Sequence, residues 1–95
     1  MYAIIDGAAV EDRASLHTLL FEQLALPEWY GHNLDALYDC LTERCEDTDL
    51  YLVHMETLQQ TLGGYADAFW TVLTEAAEEN PHIRLHWQDF EISEE

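Results

Sequence analysis

Three short segments of this chain carry the signature of strands, and each is separated from the next by stretches with the period of helices. Tyr2–Ile5 and Leu50–His54 are short and mostly apolar, and Asp6-Gly7 is a turn that ends the first. His82–Trp87 alternates, with Ile83, Leu85 and Trp87 on one face and His82, Arg84 and His86 on the other. That is the period of a half-buried strand. Between the first two segments, a helix starting near Asp12 or Ser15 carries Leu16, Leu19, Leu20 and Leu24 on one stripe and ends at Pro27. A second helix runs from about Asn33 to Arg44, and Glu43–Asp49 reads as a polar loop. Between the last two segments lie a short helix over Glu56–Leu62, a break at Gly63-Gly64, and a long helix over Tyr65–Glu79. Phe69, Val72, Leu73 and Ala76 mark the buried stripe of that helix, and Asn80-Pro81 stops it. Strands alternating with helices imply a small α/β layer structure with a parallel sheet and right-handed crossovers.

At 95 residues the chain makes one domain. Residues 1–88 read as its core and 89–95 as an acidic C-terminal extension. Hydrophobic residues are 48% of the chain, enough for a modest core and against disorder despite the charge. No apolar run approaches the ~18 residues of a membrane span. The start, MYAIIDG, lacks the basic region and long apolar core of a signal peptide, so a cytoplasmic location is expected. Twenty Asp and Glu face three Arg and no Lys, a formal charge of −17. Such a chain repels nucleic-acid phosphates and anionic membranes and attracts basic proteins over long range. The expected partner is therefore a basic protein, with no nucleic acid and no membrane. Charge of this size also serves solubility, and by itself it names no partner.

The stretch Leu24–Thr42, LALPEWYGHNLDALYDCLT, concentrates the features that point to function. Pro27 and Gly31 bracket a turn carrying Trp29 and Tyr30, and Asn33 is placed to cap the helix that follows. At roughly 100° per residue, Leu34, Leu37 and Leu41 share one side. Asp35, Asp39, Thr42 and, if the helix reaches it, Glu46 share the other. The apolar stripe is core. The acidic stripe does nothing for the helix, since like charges at i,i+4 destabilise it by a few tenths of a kcal/mol. Trp29, Tyr30 and Tyr38 surround this ridge, and aromatics at the rim of a charged patch remove large area from water around charged anchors. Glu75, on the long helix and away from Phe69 and Val72, extends the acidic field.

Other chemistries fit poorly. Two carboxylates on adjacent turns of one helix make a ridge, whereas glycosidase chemistry needs them across a cleft. Asp6 after the first strand is where an acid site of an open sheet would sit, but an Asp-Gly turn explains it. His82 and His86 share a strand face yet lie ~13 Å apart at 3.3 Å per residue, too far for one ion. His17 and His32 are expected on the surface, and no zinc spacing or glycine-rich phosphate loop occurs. No metal, no cofactor and no catalytic residue is expected. Cys40 and Cys45 are five helical steps, ~500°, apart and point away from each other, so two free thiols are expected.

The same stretch resembles the barstar family, intracellular inhibitors of extracellular guanyl-specific ribonucleases. The likeness is densest at ALPE, a Tyr-Gly, Asn-Leu-Asp-Ala-Leu and Asp-Cys-Leu-Thr, and runs more loosely from Tyr2 to about Trp87. It implies a three-stranded parallel sheet packed by about four helices. It also implies that the protein is not an enzyme but blocks a basic, barnase-like ribonuclease with its acidic helix. By that resemblance Asp35 and Asp39 would meet the cations that hold the RNA phosphate, with Asp39 the principal phosphate mimic. Glu75 would supply a further acid. Trp29, Gly31, Asn33, Leu34, Tyr38 and Thr42 would complete the contact surface. Where the family has Gly-Trp after the Thr, this chain has Glu43-Arg44. That arginine would oppose a basic partner unless Glu43 or Glu46 pairs with it. An acidic adaptor for another basic protein, or an immunity protein against a toxin that is not a ribonuclease, is the alternative of a different class.

Overall fold

A computed structural model describes residues 1–87. The acidic C-terminal extension expected at 89–95 lies outside the described residues. The elements run β1 (Tyr2–Asp6), a single 3-10 turn at Gly7–Ala9, α1 (Arg13–Leu24), α2 (Leu34–Thr42), β2 (Thr48–Val53), α3 (Met55–Leu62), α4 (Gly64–Glu79) and β3 (Ile83–Trp87). The three strands form one parallel sheet in the order β1-β2-β3. Tyr2 is opposite Asp49, and Leu50 is opposite both Ala3 and Leu85.

The strands pair in sequence order, and burial on alternate residues places the helices on one face of the sheet. Burial follows the strand period: Ala3, Ile5, Leu50, Leu52 and Ile83 are buried beneath the helices, while Tyr2 and Ile4 on the opposite face are exposed. The helices close this core with Leu16, Leu20 and Leu24 of α1, Leu37 and Leu41 of α2, Leu58 of α3, and Phe69 and Leu73 of α4. Fully burying a side chain of this size contributes about 1.5–3 kcal/mol.

Local chemistry sets the element ends. Asp12 caps α1 by accepting from Ser15 N at 2.8 Å, and the Ser15 hydroxyl accepts from Asp12 N at 3.0 Å, a reciprocal box. Gly7 lies where a Cβ would collide with the His54 carbonyl oxygen and crowd Leu58, so the chain passes there only without a side chain. Of the pair Gly63-Gly64, only Gly63 breaks the chain, at φ +60, and Gly64 already begins α4.

The second strand begins at Thr48 rather than Leu50 and ends at Val53; His54 instead takes a left-handed conformation ahead of α3. Thr48 and Asp49 enter the sheet because their polar groups are satisfied there. The Thr48 hydroxyl receives Arg44 Nε at 2.8 Å and donates to the Glu46 carbonyl. Asp49 receives Arg84 and His86 from β3. The second helix likewise stops at Thr42, so Glu46 falls off the acidic stripe.

Candidate functional site

The chain approaches α2 through a tight turn in which Tyr30 N donates to the Pro27 carbonyl at 2.9 Å. Asn33 then caps the helix: its side-chain oxygen accepts from Ala36 N at 2.8 Å, and its amide donates to the Gly31 carbonyl at 3.2 Å. Gly31 leaves room for that amide, since a Cβ there would sit 3.0 Å from Asn33 Nδ2. Leu37 and Leu41 are fully buried, and Leu34 is half-buried. They fix which side of α2 faces out. At the other end, buried Asn80 donates to the carbonyls of Leu41 at 2.7 Å and Arg44 at 2.8 Å, and accepts from His82 N. This clamp was not legible as such. The sequence marked Asn80 only as a helix stop, and helix-ending Asn-Pro is the one signal it offered.

The outward face of α2 carries the acids. Asp35 and Asp39 are exposed, and among the described residues neither carboxylate makes a hydrogen bond or ion pair. Asp35 lies in the first turn, where the helix dipole favours a negative charge. Helix α4 packs alongside and brings Glu75 to the same place. Asp35, Tyr38, Asp39, Val72 and Glu75 line one shallow depression of about 450 Å³. Val72 therefore sits beside Glu75 at half-burial, not on the opposite side of α4 as expected. Tyr38, one of its lining residues, is half-buried. Burial, and then the neighbouring Glu79, Glu75 and Asp39 carboxylates, push its hydroxyl above the ordinary tyrosine value. The Thr42 hydroxyl donates back to the Tyr38 carbonyl at 2.8 Å.

Trp29 stands on the other flank, 68% exposed, over a hollow shared with Cys40, Glu43 and Arg44. Arg44 is partly withdrawn: its Nε is held by Thr48, and its Nη2 lies 3.8 Å from Glu46. The expected neutralising partner is thus present. Gly31, Asn33 and Leu34 sit at the helix N-terminus, beside rather than within the acidic depression. Cys40 is buried and Cys45 exposed, and both are free.

Two further expectations are corrected. Tyr30 does not flank the ridge, and His17 is not on the surface: both are buried, at 4% and 1% exposure. The ring nitrogens of His17 meet two hydroxyls, Nδ1 that of Tyr30 and Nε2 that of Tyr65 at 2.7 Å. A neutral imidazole has one donor and one acceptor, so it satisfies both tyrosines, which is why a histidine can be buried here. Burial, helped by His32 nearby, holds its pKa below the usual 6.5. Among the described residues no group of three or more His, Cys, Asp or Glu could hold a metal ion. No helix there is long and apolar enough to cross a membrane.

A family model described as "Barstar (barnase inhibitor)" matches residues 1–94. The chain is 44% identical over 77 residues to a protein named "Putative ribonuclease inhibitor YrdF" from Bacillus subtilis (strain 168). That alignment covers 80% of this chain and 85% of that protein.

Proposed function

The chain belongs to the barstar family, and on that premise we propose that it is a ribonuclease inhibitor that closes the active site of a basic, extracellular-type enzyme with the outward face of α2. It acts by binding, with no reaction of its own. Acting in the cytoplasm, it protects the producing cell from its own enzyme as an immunity protein. Asp35 and Asp39 take the place of RNA phosphates among the cations of the active site, and Glu75 adds a third carboxylate. Trp29 and Tyr38 exclude water on the two flanks. Gly31, Asn33, Leu34 and Thr42 complete the contact surface.

The observation that carries this reading is the unneutralised state of the ridge. Asp35, Asp39 and Glu75 surround one depression, and the first two lie four residues apart with no ion pair among the described residues. Like charges held this way cost the free protein a few tenths of a kcal/mol. A cationic cleft relieves that cost. Complementary fields also speed encounter and are screened by salt.

The test is inhibition of a guanyl-specific ribonuclease such as barnase at low and moderate salt. The chain inhibits, more weakly as salt rises, and the double change Asp35→Ala and Asp39→Ala abolishes inhibition while thermal unfolding stays cooperative. Full inhibition by the folded double variant would refute the proposal.

A further inference from the structure

A second hollow, of about 640 Å³, opens beside the N-terminal end of α2 and shares Asp35 with the acidic depression. Its walls are of mixed character, with a cation set beside that acid. They include Arg13, His17, His32, Asn33 and Tyr65.

The guanidinium is the first sign. The chain has only three arginines and no lysine against twenty acids. Arg84 is paired with Asp49, and Arg44 lies within reach of Glu46. Arg13, among the described residues, pairs with no carboxylate. Its Cζ lies 4.3 Å from the centre of the Tyr65 ring. A guanidinium held over a ring face keeps its N–H donors available for a bidentate acceptor.

The ring beneath that fork is anchored to the core. Tyr65 Oη is fixed on the buried His17 Nε2 at 2.7 Å. His32 is the second sign. It has a left-handed backbone, φ 56, without being glycine. Such a conformation is strained and persists only where the surroundings impose it. Here it brings the imidazole to the lip of the hollow, its ring centre 5.0 Å from that of Tyr30 and 6.4 Å from that of His17.

We infer that this hollow is a carboxylate pocket that receives an acidic side chain of the partner ribonuclease, held by the Arg13 fork with His32 and Tyr65 around it. The inference rests on the inhibitor reading for the identity of the partner. A phosphate or an RNA strand would bring repeated negative charge against Asp35 and the field of the whole chain. A single carboxylate fits the fork bidentately and arrives already positioned by the rest of the interface. Asp35 then faces a cation of the enzyme and Arg13 an acid beside it. Such alternation of charge fixes register and rejects basic proteins that lack the acid.

The pocket is tested without any enzyme by titrating the protein with N-acetyl-glutamate and N-acetyl-glutamine at constant ionic strength, following the ring signals of Tyr65 and His32 by NMR. The glutamate shifts both saturably, the glutamine shifts neither, and Arg13→Gln weakens the glutamate at least tenfold. Equal shifts by both compounds, no shift by either, or undiminished binding in Arg13→Gln overturn the pocket. Its place in the complex is read from barnase inhibition by Arg13→Gln. That change makes the chain more negative, so long-range attraction alone would tighten binding to a basic enzyme, whereas the pocket requires at least tenfold weaker inhibition. Unchanged or tighter inhibition overturns the role in docking. Failure of the unaltered chain to inhibit counts against the proposed function, while the glutamate titration still decides the pocket.

Discussion

The side-chain amide of Asn80 donates to the carbonyl oxygen of Leu41 at 2.7 Å, joining the residue that ends α4 to the last turn of the acidic helix. The carbonyls at a helix C-terminus have no partner within the helix. Here a distant side chain supplies one, and with it fixes where α2 ends relative to β3.

Replacing Asn80 by Ala therefore leaves the Leu41 and Arg44 carbonyls without their buried donor, at a cost of about 1–3 kcal/mol. Urea unfolding measures the loss. Amide exchange at Glu43 and Arg44, whose N–H groups bond to Asp39 and Leu41, accelerates more than that of β1.

Trp29 separates binding from folding. It is 68% exposed, so Trp29→Ala changes stability by no more than about 0.5 kcal/mol. If it anchors the partner, inhibition falls about tenfold or more, on the scale of an interface hot spot. Matched urea midpoints together with an inhibition assay give both numbers from one preparation.

His17 makes stability depend on pH from the acid side. Its ring is neutral in both states above pH 6.5. Below that value the unfolded chain takes up a proton that the buried ring resists, because burial and the nearby His32 hold its folded pKa down. Stability attributable to His17 is therefore complete above 6.5 and is lost as the pH falls from 6.5 through the folded value. Urea midpoints measured from pH 8 to 5 follow the decline, and NMR titration of the ring locates its midpoint below 6.5.

Asp49 acts at lower pH. Hydrogen bonds from Arg84 and then His86 hold its carboxyl down at about 2, against 3.8 for the free group. A depressed folded value means that the stabilisation is present above 3.8 and disappears between there and about 2. Asp49→Asn is expected to be less stable than the parent at pH 6, with the gap narrowing as the pH falls through that window.

Much of this was legible in the sequence, for local reasons. Asp12 and Asn33 cap the helices they precede, and Leu37 and Leu41 fix the buried side of α2, which leaves Asp35 and Asp39 no direction but outward. What was not legible depended on partners distant in sequence. His17 lies within the leucine stripe of α1 by helical angle, yet its polarity placed it outside until Tyr30 and Tyr65 arrived from 13 and 48 residues away. Thr48 and Asp49 look like loop until Arg44, Arg84 and His86 satisfy them. The depression beside Tyr38 needed α4 set against α2, which no local period reveals.

The sheet order β1-β2-β3 has a practical corollary. With every helix on one side, the strands present Tyr2 and Ile4 to solvent from the reverse of the molecule. A fluorophore or surface tether attached at either residue would leave the approach to Asp39 clear, so immobilised protein can be titrated with candidate enzymes from the front.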